Sequence, residues 1–206
     1  MPLKLLRGQQ ASAPMPPASS YFWDAPQLPP DIDFPTYTDA DGDECYLPFV
    51  CQVNLADAAI EGLPQQGMLY VFATVDYYMG FDAPMENGMG WWTPGTVKVL
   101  YSDAPADTLV RKNPYNDDVT TPPHPITPVR TDEPSGDGHR LLGLPFEDEA
   151  RQEMPADCRL LMQIDSDEDD AFSLLFSDMG LLYIFINKES LRRADFSSVS
   201  AYMTSM

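Results

Sequence analysis

Apolar and polar positions along this chain fall into a pattern that occurs twice. Gln52-Val53-Asn54 is followed, fifteen residues after the glutamine, by Gly67-Met68-Leu69-Tyr70-Val71-Phe72. Gln163-Ile164-Asp165 is followed, seventeen residues after the glutamine, by Gly180-Leu181-Leu182-Tyr183-Ile184-Phe185. An internal repeat bears on architecture before any local feature does, so the chain is expected to fold as two similar halves. Nearly continuous apolar runs predict strands at 47–54 and 68–75 in the first half and 159–164 and 181–186 in the second. Alternation adds a third strand to each, at 96–102 and 198–203. Leu182, Ile184 and Ile186 should share a core face, with Tyr183 and Phe185 on the other.

The helices predicted are few and short. Asn54 can cap a helix over 55–61 that Gly62 ends, and Pro145 and Pro155 bracket another at 147–154. Asn187 can cap a last turn running to Arg193. Residues 1–19 are rich in Pro, Ala and Ser and read as a flexible tail. The first repeat then spans about 20–102 and the second 139–206, joined by a connector at 103–138 that holds seven prolines.

Composition adds limits. Of 206 residues, 44% are hydrophobic, enough for a core, and 21 prolines oppose long helices. Three cysteines, without C-x-x-C spacing, fit a reducing compartment better than a disulfide framework. The N-terminal residues carry no apolar signal region, and no run approaches the length of a membrane span. The expectation is a soluble, cytoplasmic protein.

The net charge of −20 is unevenly placed: from Gly8 to Val97 there is no Lys or Arg against twelve Asp and Glu. Such a surface repels phosphate backbones, so nucleic acid is not the expected partner. It either attracts a basic protein or simply keeps the chain in solution.

Candidate chemistry is sparse. Gln52 and Gln163, at matching places in apolar strands, either converge on a ligand between the repeats or clamp backbone groups beside them. Counted from Asp39 or Asp165, the acidic runs lack the Gly at the sixth position and the Glu at the twelfth that a calcium loop needs, so solvated turns and no metal are expected. His124 sits in a proline run with nothing to hold it, and His139 follows a glycine-rich tract. Motifs for nucleophilic, phosphate-binding or zinc chemistry are missing. No catalytic residue and no cofactor are assigned.

The loop at 76–94 is expected to carry a binding surface. Tyr77, Tyr78, Trp91 and Trp92 would supply contact area, and Asp82 and Glu86 would supply charge. Trp91 and Trp92 are neighbours, so in an extended stretch at most one points inward.

These motifs together resemble the YwqG-like proteins, a bacterial domain of unknown function. The matching runs are 49–55, Leu63-Pro64 with 67–72, 139–145, 160–167, 178–186 and 195–199. That family shows a G-G-x-P step before each half; here Trp23-Asp24-Ala25-Pro26 and Leu142-Gly143-Leu144-Pro145 stand in its place. The resemblance implies a mainly β, roll-like single domain and brings no established activity. On this reading the protein is a non-catalytic acidic binding protein that sequesters a basic partner. The alternative is a hydrolase or a small-molecule site in the cleft between the repeats.

Overall fold

The computed structural model describes residues 1–12, 14–75, 86–115, 121–177 and 179–205, and the backbone of 77–78 and 81–82. The fold is mainly β, with three short helices among the described residues, α1 (Leu55–Ala58), α2 (Asp148–Glu153) and α3 (Lys188–Arg192). Eleven strands, numbered along the chain, form the main sheet. They are β1 (Leu3–Arg7), β2 (Tyr21–Phe22), β3 (Phe49–Asn54), β4 (Met68–Ala73), β5 (Gly90–Trp91), β6 (Val97–Ser102), β7 (His124–Arg130), β8 (Arg140–Leu141), β9 (Cys158–Asp165), β10 (Gly180–Asn187) and β11 (Val199–Ser205). Their order across the sheet is β5-β11-β10-β9-β8-β1-β7-β2-β3-β4-β6, and every pairing is antiparallel.

This order contains the duplication. The first half is β2-β3-β4-β6 and the second is β8-β9-β10-β11, so each half has four strands where the pattern predicted about three. The extra members, β2 and β8, are two residues long and carry too little alternation to be seen. Hydrogen bonds repeat position by position. The Trp23 N–H donates to Val50 O at 3.1 Å, and the Leu142 N–H to Leu161 O at 2.9 Å. Leu55 N–H meets Gly67 O at 2.9 Å, and Ser166 N–H meets Gly180 O at 3.1 Å. The register slips between Phe49 and Cys51, and again between Leu160 and Met162, so even the bulge recurs.

The motif glycine has a packing reason in both halves. A Cβ on Gly67 would stand 2.6 Å from Ser102 O, and one on Gly180 would stand 2.5 Å from Phe176 O. Only a residue without a side chain lets the neighbouring backbone pass so close. In the step before each half, Trp23 (φ 61°) and Asp24 (φ 59°) match Leu142 (φ 60°) and Gly143 (φ 102°). The left-handed turn therefore forms in both halves, although the first half has no glycine in it.

Two expectations are corrected here. Residues 3–7 do not belong to a flexible tail: β1 lies in the middle of the sheet, bonded to β7 on one side and β8 on the other. Leu3 and Leu5 are buried while Lys4 and Leu6 turn outward, the alternation of a half-covered strand. The stretch 103–138 is likewise more than a connector, since it contains β7. Each half is thus preceded by a fifth strand, and the two are exchanged: β1 joins the second half and β7 the first.

Two prolines inside β7 hide it in the sequence. Leu5 points its N–H away from β7, to His139 O at 2.9 Å, so its partner Pro128 is also turned away from β1. The N–H that proline lacks would face the side that β2 leaves uncovered, where nothing is lost.

The sheet curls so that both halves share one inner core, which includes Leu3, Leu5, Val53, Val71, Ile164, Leu182, Ile184 and Ile186. Its two ends approach each other, with the ring of Tyr101, on β6, 5.5 Å from that of Phe196, which lies just before β11. Tyr183 and Phe185 lie on the opposite, outer face, as alternation required. They pack with Ala150 of the helix α2 (Asp148–Glu153). The outer face of the first half holds Tyr21, Leu28, Leu47, Phe49 and Phe72.

Candidate functional site

Where β1 crosses into the second half, it brings Lys4 and Arg7 to a cleft of about 640 Å³ that is also lined by Asp137, His139, Asp165 and Asp167. Arg7 grips Asp167 with two bonds, Nε to Oδ2 at 2.6 Å and Nη2 to Oδ1 at 2.9 Å. Its Nη1 reaches Asp169 at 2.9 Å, and its guanidinium lies 4.2 Å from the centre of the Phe172 ring. The acidic turn is therefore not simply solvated, because two of its carboxylates anchor the N-terminal strand.

His139 completes the network. The Asp165 backbone N–H donates to His139 Nδ1 at 3.1 Å, which places the ring proton on Nε2, 3.4 Å from Asp167 Oδ2. Burial works against the charge on Asp167, but hydrogen bonds from His139 and Arg7 hold its carboxyl well below the usual range. Asp165 shifts upward, chiefly through burial, and one of its oxygens is enclosed with no partner among the described residues.

The cleft gathers acids, a histidine and a hydroxyl, yet it leaves none of them poised to attack. Ser166 Oγ donates to Gly180 O at 2.8 Å and accepts the Phe176 N–H at 3.1 Å. The His139 nitrogen that could act as a base is engaged by the backbone. We read the network as the lock that holds β1 in the second half.

Its pH dependence follows from the directions of the shifts. With a folded value below the unfolded one of about 3.9, Asp167 contributes stability that is fully present above that value and lost as pH falls through the folded one. Asp165, shifted upward, contributes in the opposite sense, favouring the protonated form. Asp167→Asn should cost about 1–3 kcal/mol at pH 7, less than a fully buried pair because the carboxylate is part-exposed. It should also flatten the loss of stability below about pH 4 in urea melts. An acid limb as steep as that of the native chain would show that Asp167 is not what titrates.

His124 is fixed rather than loose. It is buried at the start of β7, with Nδ1 3.1 Å from Gly8 O and Nε2 3.2 Å from Ala171 O. Its ring stands edge-on to Phe172 at 4.8 Å. The proline run that hid the strand also hid this anchor.

The amides of the two glutamines are taken up by backbone groups of their own halves. Gln52 accepts from Gln27 N–H at 2.9 Å and donates to Ser19 O at 2.8 Å. Gln163 accepts from Phe146 N–H at 3.0 Å and donates to Gly136 O and Gly138 O, each at 2.9 Å. Each amide clamps the chain that enters and leaves the left-handed step of its own half.

The remaining predicted residues lie at one end of the sheet or beyond the description. Tyr77–Tyr78 and Phe81–Asp82 pair as short strands, and the side chains of Tyr77, Tyr78 and Asp82 lie outside the described residues. Glu86 is half-buried. Trp92 is buried at 7% exposure whereas Trp91, on β5, is 44% exposed. One indole turns in and one turns out.

Trp91 stands on an aromatic floor, 5.2 Å from the Tyr202 ring and 5.9 Å from that of Phe185. α2 borders it with acids. Trp91 Nε1 donates to Glu153 at 3.1 Å, and the Tyr202 hydroxyl donates to Glu149 at 2.6 Å. That carboxylate is the main reason the Tyr202 phenol is pushed up to about 12. Sequence reasoning found Trp91 but missed Tyr202, Glu149 and Glu153, which only the sheet order brings to it.

A family model for a domain of unknown function, DUF1963, matches residues 24–130 and 126–204. The chain belongs to that family. No curated protein matches it. The two DUF1963 segments overlap within β7, the strand that follows the first half in sequence and joins its sheet.

Proposed function

We propose that this DUF1963 chain is a YwqG-like, non-catalytic binding protein of the bacterial cytoplasm that takes a basic protein segment on the outer edge of its second half. The observation that carries the reading is the exposed indole of Trp91, bordered by Glu149 and Glu153. An arginine or lysine laid over that ring would gain cation–π attraction and meet two carboxylates beside it. The net charge of −20 would speed its approach. Three free cysteines agree with a reducing compartment. The saturated bonding around Arg7 and His139 favours binding over hydrolysis. The small-molecule alternative has its support elsewhere, in a groove beside Arg159.

Trp23 and Trp92 are buried, so Trp91 is the indole that meets solvent. A peptide of alternating arginine and alanine should therefore change the tryptophan emission at low salt, and the change should vanish in Trp91→Ala. An emission change that survives in Trp91→Ala would place the peptide elsewhere.

A further inference from the structure

The chain has twelve Lys and Arg side chains, and eleven of them hold a carboxylate or a backbone carbonyl. Arg159 holds neither: none of the described residues offers its guanidinium an acceptor. The chain has 32 acidic residues, so an unpaired, half-buried arginine is not a matter of supply. Taking a guanidinium partly out of water without a counter-charge is unfavourable, which points to a partner from outside the chain.

Arg159 faces a groove of about 500 Å³ at the junction of the two halves. Gly62 comes from the first half, and a Cβ there would stand 3.3 Å from Arg159 Nη1. Leu144, Met154 and Leu191 line the groove from the second half. Leu144 is 43% exposed, an apolar side chain left open to solvent. Lys188 and Arg192 add positive charge to the same groove. Each is already engaged, Lys188 with Ala156 O at 2.8 Å and Arg192 with Glu189 at 3.1 Å. Neighbouring Asp157 accepts from Asn187 at 2.8 Å.

We propose that this groove binds a small carboxylic acid with an apolar body. Its carboxylate would take two parallel bonds from Arg159, and its hydrocarbon would lie on Leu144, Met154 and Leu191. A guanidinium presents the planar fork that a carboxylate matches, and the volume is that of ordinary small-ligand pockets. The fork of Arg159 matches one carboxylate, and Leu144, Met154 and Leu191 offer hydrocarbon contacts that an inorganic anion cannot make.

The test uses the full chain with three probes: octanoate, 1-octanol and inorganic phosphate. Octanoate should shift the amide resonances of Gly62 and Gly143 and bind at least about tenfold more tightly than octanol. Phosphate should leave those resonances in place. Arg159→Gln should weaken octanoate by about tenfold or more and change octanol by less than about twofold, which also shows that the groove is still folded. Trp91→Ala should leave octanoate binding unchanged, so the result is independent of the basic-segment reading. The proposal is overturned if octanoate leaves the two glycine resonances in place, or if octanol or phosphate matches octanoate. Undiminished binding by Arg159→Gln would overturn it as well.

Discussion

Deleting residues 1–8 should abolish cooperative folding, although the sequence presents them as a tail. Their strand is bonded on both edges, so its loss parts the sheet at its centre and exposes the inner core of both halves. Leu3 and Leu5 are fully buried, and removing such side chains costs about 2–5 kcal/mol each. Arg7 would also leave Asp167 and Asp169 without their cation. Together these losses approach the roughly 5–15 kcal/mol that holds a typical domain folded. Thermal melts followed by circular dichroism provide the check. A truncated chain that melts cooperatively within about 2 kcal/mol of the full one would show that β1 only decorates the sheet.

Gln163→Leu should have the second-largest effect. The leucine fills nearly the same volume in a position that is fully buried, so packing changes little. Hydrogen bonding changes a great deal. Phe146 N–H, Gly136 O and Gly138 O lose their partner together. A fully buried backbone group without a partner costs about 1–3 kcal/mol; these three are half-buried, so the substitution should destabilise the protein by about 2 kcal/mol or more. Gln52→Leu should cost less, because it strands two backbone groups, Gln27 N–H and Ser19 O. Urea melts of the two variants measure this directly. A loss below about 1 kcal/mol in both would mean that water replaces the amides and that they are not clamps.

The parts of the fold that were legible in the sequence are those where side-chain chemistry repeats over several residues. The Gln and G-x-L-Y strands are long and apolar, so their existence, their faces and their duplication could all be read. The exchanged strands were hidden for opposite reasons. β1 is only five residues beside a Pro-rich stretch, and β7 contains Pro125 and Pro128, which ordinarily argue against a strand.

The sites were less legible. Trp91 announces itself by type, but Glu149 and Glu153 reach it only because β5 pairs with β11, and the Tyr202 hydroxyl of β11 meets Glu149. Arg159 stands out because its guanidinium has no acceptor among the described residues, which no sequence pattern records. His124, dismissed for its surroundings, is held between two carbonyls that lie 116 and 47 residues away in the chain.

The most direct test of the binding surface removes the same charge from two places. Glu149→Gln with Glu153→Gln takes two charges from beside Trp91. Asp31→Asn with Asp33→Asn takes two from an exposed loop of the first half. Affinity for one arginine-rich peptide is then measured by calorimetry at a single low salt concentration. A surface centred on Trp91 predicts a loss of about tenfold or more for the first pair and less than about twofold for the second. Equal losses from both pairs would contradict it, leaving net charge alone as the attraction.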